Sequence, residues 1–368
     1  MEKAKISAWQ LFCIIVLFEL GTSLVVSVGI GAKQDAWLAI LVSLGGGLAL
    51  FLMYGYLFRL FPTVPLTSYI QKIVGTYIGW PLGLLYILYF IYTASRILRD
   101  GGILLVNSAY NATPIFVINF IIIITIAYVI YHGIEVLART VEIMMILFIV
   151  LGILGNASVL FSGIMDVKNL LPVLENGWKP VLQTAFPLTF AFPGEMICFT
   201  MLFPYLNKPK LVTQIGILGM LISSIILSYT IALNVTVLGV NMTSRATFPL
   251  LTTISKVDVA GILERVDVIV ILTLIIGVFF KIAVYFYSAT IGIADLFKIE
   301  NHRKLILPVG ILILNSSMII ASNTSEHLKE GLKIVPFYEA APFQFYIPLT
   351  LLIVAFIRRR FNPQYLSK

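Results

Sequence analysis

Phe186-Pro187-Leu188-Thr189-Phe190-Ala191-Phe192-Pro193-Gly194-Glu195 lies inside an apolar run long enough to cross a bilayer, yet an α-helix cannot pass through it intact. Pro193 has no backbone N–H and its ring clashes with the preceding turn, while Gly194 tolerates dihedrals that other residues avoid. Lipid offers no partner for the N–H and C=O groups released at such a break, so a ligand or a water-filled cavity must supply one. The first apolar run carries Glu19-Leu20-Gly21-Thr22-Ser23 near its centre, and we read a second break there. Half-helix N-termini at paired breaks direct N–H groups at an anionic group, and exposed carbonyls receive a cation or an ammonium. A zwitterionic amino acid fits this chemistry, and sugars and nucleosides can also fit it.

Outward from these stretches the whole chain reads as an integral membrane protein. Of its 368 residues 60% are hydrophobic and 11% charged, against about 25% charged in ordinary soluble domains. Apolar runs of about 20 residues recur, enough at 1.5 Å per residue to cross the hydrocarbon core. We place ten transmembrane helices at roughly 8–29, 36–61, 78–106, 114–132, 139–163, 181–205, 211–240, 266–296, 304–321 and 343–357. The run Ser7–Gly29 is too long for a signal-peptide core and is read as a retained span. No separate soluble domain fits, so residues 1–368 form a single transmembrane domain on this reading.

With the N-terminus cytoplasmic, 14 Lys and Arg fall on the cytoplasmic side and 8 outside, and Arg96, Arg99 and Lys281 lie within spans, which accounts for all 25. The positive-inside rule then places both termini in the cytoplasm. The net charge of +8 follows from these short loops, so no nucleic-acid partner is expected. Cys13 and Cys198 sit in apolar runs, and neither a disulfide framework nor a metal or cofactor motif is present.

Two short amphipathic segments resemble each other: Pro65-Leu66-Thr67-Ser68-Tyr69-Ile70-Gln71-Lys72 after the second span and Pro249-Leu250-Leu251-Thr252-Thr253-Ile254-Ser255-Lys256 after the seventh. They hold equivalent places in two sets of five spans, about 8–163 and 181–357. Because five is odd, the second set enters the membrane from the opposite side, and the repeats are inverted.

Glu19, Glu195 and Lys281 lie deep in spans, where a charge costs at least about 2.5 kcal/mol and must face the bundle interior. Span 8 is expected beside the break in span 1, so one lysine can serve both acids, standing in for a bound cation. Arg96, Arg99 and Asp100 read as interfacial or gate residues. Of the mid-span aromatics we assign Tyr92 and Tyr287 to a pocket wall. His132, His302 and His327 fall at loops or span ends, and no nucleophile–base pair appears, so an enzyme is not indicated.

The span-6 stretch, Glu264-Arg265-Val266-Asp267 followed by Gly277-Val278-Phe279-Phe280-Lys281-Ile282, and the chain length together resemble the B subunits of bacterial spore germinant receptors. The resemblance covers essentially the whole chain. It implies membership of the amino acid–polyamine–organocation superfamily, with an all-α LeuT-like bundle of ten helices in a 5+5 inverted repeat whose helices 1 and 6 are broken. It also implies a germinant site, often for an amino acid, between spans 1, 3, 6 and 8. The matching positions are Gly21 and Thr22, Phe192, Gly194 and Glu195, and Lys281 with Tyr287. Partners implied are a larger membrane A subunit and a lipoprotein C subunit in the spore inner membrane. A nutrient-sensing subunit and a secondary amino acid transporter coupled to a proton or cation remain the two functional readings, because the fold alone does not separate them.

Overall fold

A computed structural model describes residues 4–26, 28–257 and 267–361; Glu264, Arg265 and Val266 of the resemblance lie outside them. The described chain is helical throughout, with one isolated bridge between Ile6 and Leu206. Helix α1 (Ala8–Val25) starts at a reciprocal cap: the Ser7 hydroxyl accepts from Gln10 N at 3.1 Å, and the Gln10 side chain accepts from Ser7 N at 2.9 Å. There follow α2 (Ala36–Leu60), the short α3 (Leu66–Val74) and α4 (Thr76–Ser108). Gly75, at φ 87°, makes the turn from α3 into α4, a conformation that favours glycine. Helices α5 (Ile115–Tyr131) and α6 (Ile134–Ser162) complete the first five spans.

The second five open with α7 (Trp178–Ala191), continued after a break by a 3-10 helix (Pro193–Met201). Then come α8 (Val212–Arg245), the short α9 (Pro249–Ile254), α10 (Asp267–Leu296) and α11 (Arg303–Ile319). Helix α12 (Thr324–Lys333) turns back at 104° to α11. The last span begins in two π-helical turns (Pro336–Ala340 and Pro342–Tyr346) and ends as α13 (Ile347–Phe361). Both amphipathic segments are helical, α3 after the second span and α9 after the seventh.

Among the described residues six helical stretches are long and apolar enough to cross a membrane unaided. Helices α1 and α5 are shorter, and α7 needs its 3-10 continuation. Ile143, Ile146 and Ile153 of α6 are exposed, as lipid-facing residues should be, whereas α10 is buried on nearly all sides and forms the bundle's centre.

The expected break at Gly21 is not there. Helix α1 runs unbroken to Val25, and the chain leaves helical dihedrals at Val26 (φ −105°, ψ 160°). Gly21 serves packing instead: a Cβ on it would lie 2.9 Å from the Gly277 carbonyl oxygen of α10. Its lack of a side chain lets two helix backbones cross in contact, as small residues do in membranes.

Candidate functional site

The break in the sixth span falls where Pro193 predicts it. Helix α7 stops at Ala191, and Phe192 (φ −136°, ψ −85°) still donates to the Leu188 carbonyl at 3.1 Å. Around the break the freed polar groups are tied to neighbouring spans. The Tyr54 hydroxyl of α2 lies 2.5 Å from the Gln344 carbonyl oxygen and 3.3 Å from that of Gly194. Gln344 donates through Nε2 to the Tyr89 hydroxyl of α4 at 2.8 Å. Its Oε1 occupies the place of a Gly194 side chain, and a Cβ there would also stand 2.7 Å from the Thr189 carbonyl oxygen. Gly194 is therefore fixed by close approach.

Beside the break is a cavity of about 110 Å³. Thr22, Ser23 and Val26 at the end of α1 form one wall, and Phe190, Ala191 and Glu195 form the next. Tyr89, Thr93, Arg96 and Asp100 of α4 form a third, and α12 and the last span close the rest with His327, Gly331, Glu339 and Gln344. Two arginines of α4 hold the α11–α12 elbow over it. Arg96 donates to the His327 carbonyl at 2.6 Å and to the Tyr92 hydroxyl at 3.3 Å, with Glu330 3.7 Å away. Arg99 donates to the carbonyls of Ser317 and Met318 at 2.9 and 3.2 Å. His327 Nε2 meets Asp100 at 2.8 Å.

Behind Glu195 stands Lys281 of α10, fully buried and ion-paired with it, its Nζ 5.1 Å from the centre of the Phe18 ring. Glu19, also fully buried, lies within electrostatic reach of both. Neither Glu19 oxygen has a hydrogen-bond partner among the described residues. Two acids thus face one lysine.

The sequence-selected residues divide between wall and support. Thr22 and Glu195 line the cavity; Gly21, Phe192, Gly194, Glu19 and Lys281 stand behind it. Tyr92 holds Arg96 from outside the lining, and Tyr287 packs against Tyr205 and His302 away from it. Tyr89 takes the place assigned to Tyr92, and Tyr285, packed on Phe18 and Phe90, stands near Glu195 in place of Tyr287. Tyr89, Thr93, Arg96 and Asp100 recur at helical spacing, a single stripe that could have marked the wall. Glu339, Gln344 and His327 lie in stretches that read as loop or as the start of a generic span.

A broken sixth span, an amphipathic helix after the second and seventh spans, and a cavity at the break define a LeuT-fold membrane protein. Two solved structures share the fold. Mhp1, a nucleobase-cation-symport-1 family transporter in a closed conformation, superposes with a TM-score of 0.72 at 13% identity, covering 99% of this chain and 82% of that one. MhsT in complex with L-phenylalanine gives 0.67 at 15% identity, over 97% and 99% of the two chains. A family model described as spore germination protein matches residues 5–325. Spore germination protein KB of Bacillus subtilis (strain 168) is 44% identical over 361 residues, 98% of this chain and 97% of that protein. The chain belongs to the spore germination protein family.

Proposed function

We propose that this chain is the nutrient-sensing B-type subunit of a spore germination receptor, binding a small molecule, an amino acid by preference, in the cavity at the sixth-span break. The observation that carries this is the placement of Glu195: it lines the cavity on one side and is paired with Lys281 in the bundle centre on the other. A ligand that engages Glu195 therefore alters the electrostatics of α10 and α1 together. Binding can shift a conformational equilibrium only by its differential affinity for the two states, and a buried ion pair that the ligand can reach supplies such a difference.

In this reading Thr22 and Glu195 touch the ligand, Gly21, Phe192 and Gly194 shape the pocket from behind, and Glu19 with Lys281 carries the internal charge balance. The subunit sits in the spore inner membrane with both termini in the cytoplasm, in a complex with a membrane A subunit and a lipoprotein C subunit. The Lys and Arg partition between loops supports that orientation.

Spores carrying Thr22→Trp, a bulky side chain on the cavity wall, provide the test. Receptor subunits should accumulate normally while the nutrient response is lost; a normal response at normal abundance would remove the cavity from the site. Secondary transport is the second reading, favoured by the likeness of fold to Mhp1 and MhsT. Accumulation of labelled amino acids by proteoliposomes containing this chain alone would replace the receptor reading with a transporter.

A further inference from the structure

The polar groups of the cavity wall are nearly all spent on one another. Asp100 meets His327, Arg96 serves the His327 carbonyl and Tyr92, and Glu195 holds Lys281. What remains without a hydrogen-bond partner among the described residues, the ion-paired Glu195 oxygen aside, is His327 Nδ1 on α12 and acceptor capacity on the last span: Glu339 Oε1 and Gln344 Oε1, both buried. Gln344 as a residue is wholly buried and lines the cavity. Tyr92 also hydrogen-bonds the Glu339 side chain, and Gln344 Nε2 is occupied by Tyr89.

Local backbone geometry brings these two acceptors together. In an α-helix, residues five apart point about 140° away from each other. Here the chain makes i to i+5 bonds, Ala341 N to the Pro336 carbonyl and Ile347 N to the Pro342 carbonyl. Pro342 has no N–H with which to continue an α-helical ladder. The widened turns bring residues five apart onto one face, so Glu339 and Gln344 share the cavity wall. Single π turns of this kind are frequent at functional sites.

We infer that Glu339 and Gln344 form the specificity subsite that recognises a primary ammonium group on the ligand. The inference rests on the cavity being the ligand site and deepens that reading. An ammonium has three donors and a positive charge, and the wall offers a carboxylate oxygen and an amide oxygen, neither of them hydrogen-bonded by a described residue. Buried acceptors without donors are costly, and hydrogen bonds to charged groups are the strong ones. Recognition of the amino group thus falls to the last span, outside the four spans implied by the family resemblance.

The test uses the full-length protein in lipid nanodiscs and isothermal titration calorimetry. The standard L-amino acids are screened first; the amine lacking the carboxylate and the acid lacking the ammonium are then titrated for each, whether or not the parent binds. Amino acids and their amines should bind, and the acids should not. Glu339→Gln should weaken amine binding by about tenfold or more. Gln344→Glu, whose carboxylate accepts from the Tyr89 hydroxyl where the native amide donates to it, should tighten it, a gain that misfolding does not imitate. Amine binding unchanged in Glu339→Gln, or unchanged or weakened in Gln344→Glu, overturns the inference. So do acids that bind while the amines are silent, although the cavity would then remain a ligand site and the proposed function would stand. Silence of every amino acid and every amine also overturns it, and the Thr22→Trp spores report separately on whether the cavity matters.

Discussion

Gly21 of α1 and Gly277 of α10 touch backbone to backbone: a Cβ on Gly277 would lie 2.9 Å from the Gly21 Cα, and one on Gly21 would lie 2.9 Å from the Gly277 carbonyl oxygen. One helix turn beyond that contact, Lys281 reaches past Gly21 to Glu195. The crossing therefore sets how near the lysine stands to both buried acids. Because the obstructing atoms are main chain, neither helix can yield by turning a side chain. Gly277→Val should cost about 1–3 kcal/mol, as overpacking of a close-packed interior does. The readout is thermal unfolding of the detergent-purified protein, and an unchanged Tm would mean that the helices part without cost.

Lys281→Met should be worse than its size suggests. It leaves the Glu195 carboxylate buried beside Glu19 with no cation, and removing one partner of a buried pair costs about 3–5 kcal/mol. Replacing the second partner removes the orphaned charge, so Lys281→Met with Glu195→Gln should recover folded protein relative to Lys281→Met alone. Subunit abundance in membranes, measured by immunoblot, gives the comparison. Equal abundance of the two variants would show that the pair does not hold the fold.

Much of this architecture is legible in the residues, and the reasons differ by element. Pro193 marks the sixth-span break because the missing N–H acts whatever surrounds it. Gly21 misleads, because a glycine in a membrane helix serves close packing as readily as a break, and only the partner helix tells which. Side-chain direction is the weakest reading. In lipid both faces of a span are apolar, so the polarity stripe that marks the inward face of a soluble helix is faint. Tyr92 and Tyr287 therefore read as pocket walls as readily as Tyr89 and Tyr285 do. Helix α12 escapes because Thr324–Lys333 is polar and too short to cross, and the start of the last span escapes because Pro336, Glu339 and Pro342 resemble a loop.

Glu19→Gln separates folding from signalling. No described group hydrogen-bonds the Glu19 carboxyl, so the near-isosteric amide keeps the volume without breaking a hydrogen bond, and subunit abundance in membranes should stay close to that of the native protein. An intramembrane acid that no described group hydrogen-bonds is expected to serve function, so the nutrient response of spores should fall. A full response at normal abundance would reduce Glu19 to a passive neighbour of Lys281.

Arg99 makes the corresponding case for the roof of the cavity. Its guanidinium holds the Ser317 and Met318 carbonyls, the end of α11 just before the 104° bend into α12. Last-turn carbonyls have no intrahelical donors, so the arginine performs a cap from a neighbouring span. Hydrogen bonds from a charged donor contribute about 1.5–3 kcal/mol, and Arg99→Ala should therefore lower the local opening free energy of the elbow by a similar amount. Amide hydrogen exchange followed by mass spectrometry should accelerate by about tenfold or more in α12 while α7 keeps its protection, because local opening is confined to the unit that loses its support. Arg96 would still hold the His327 carbonyl in that variant. The double variant with Arg96→Ala should open further, and equal exchange in native protein and both variants would show that α12 is held by its own apolar contacts instead of by α4.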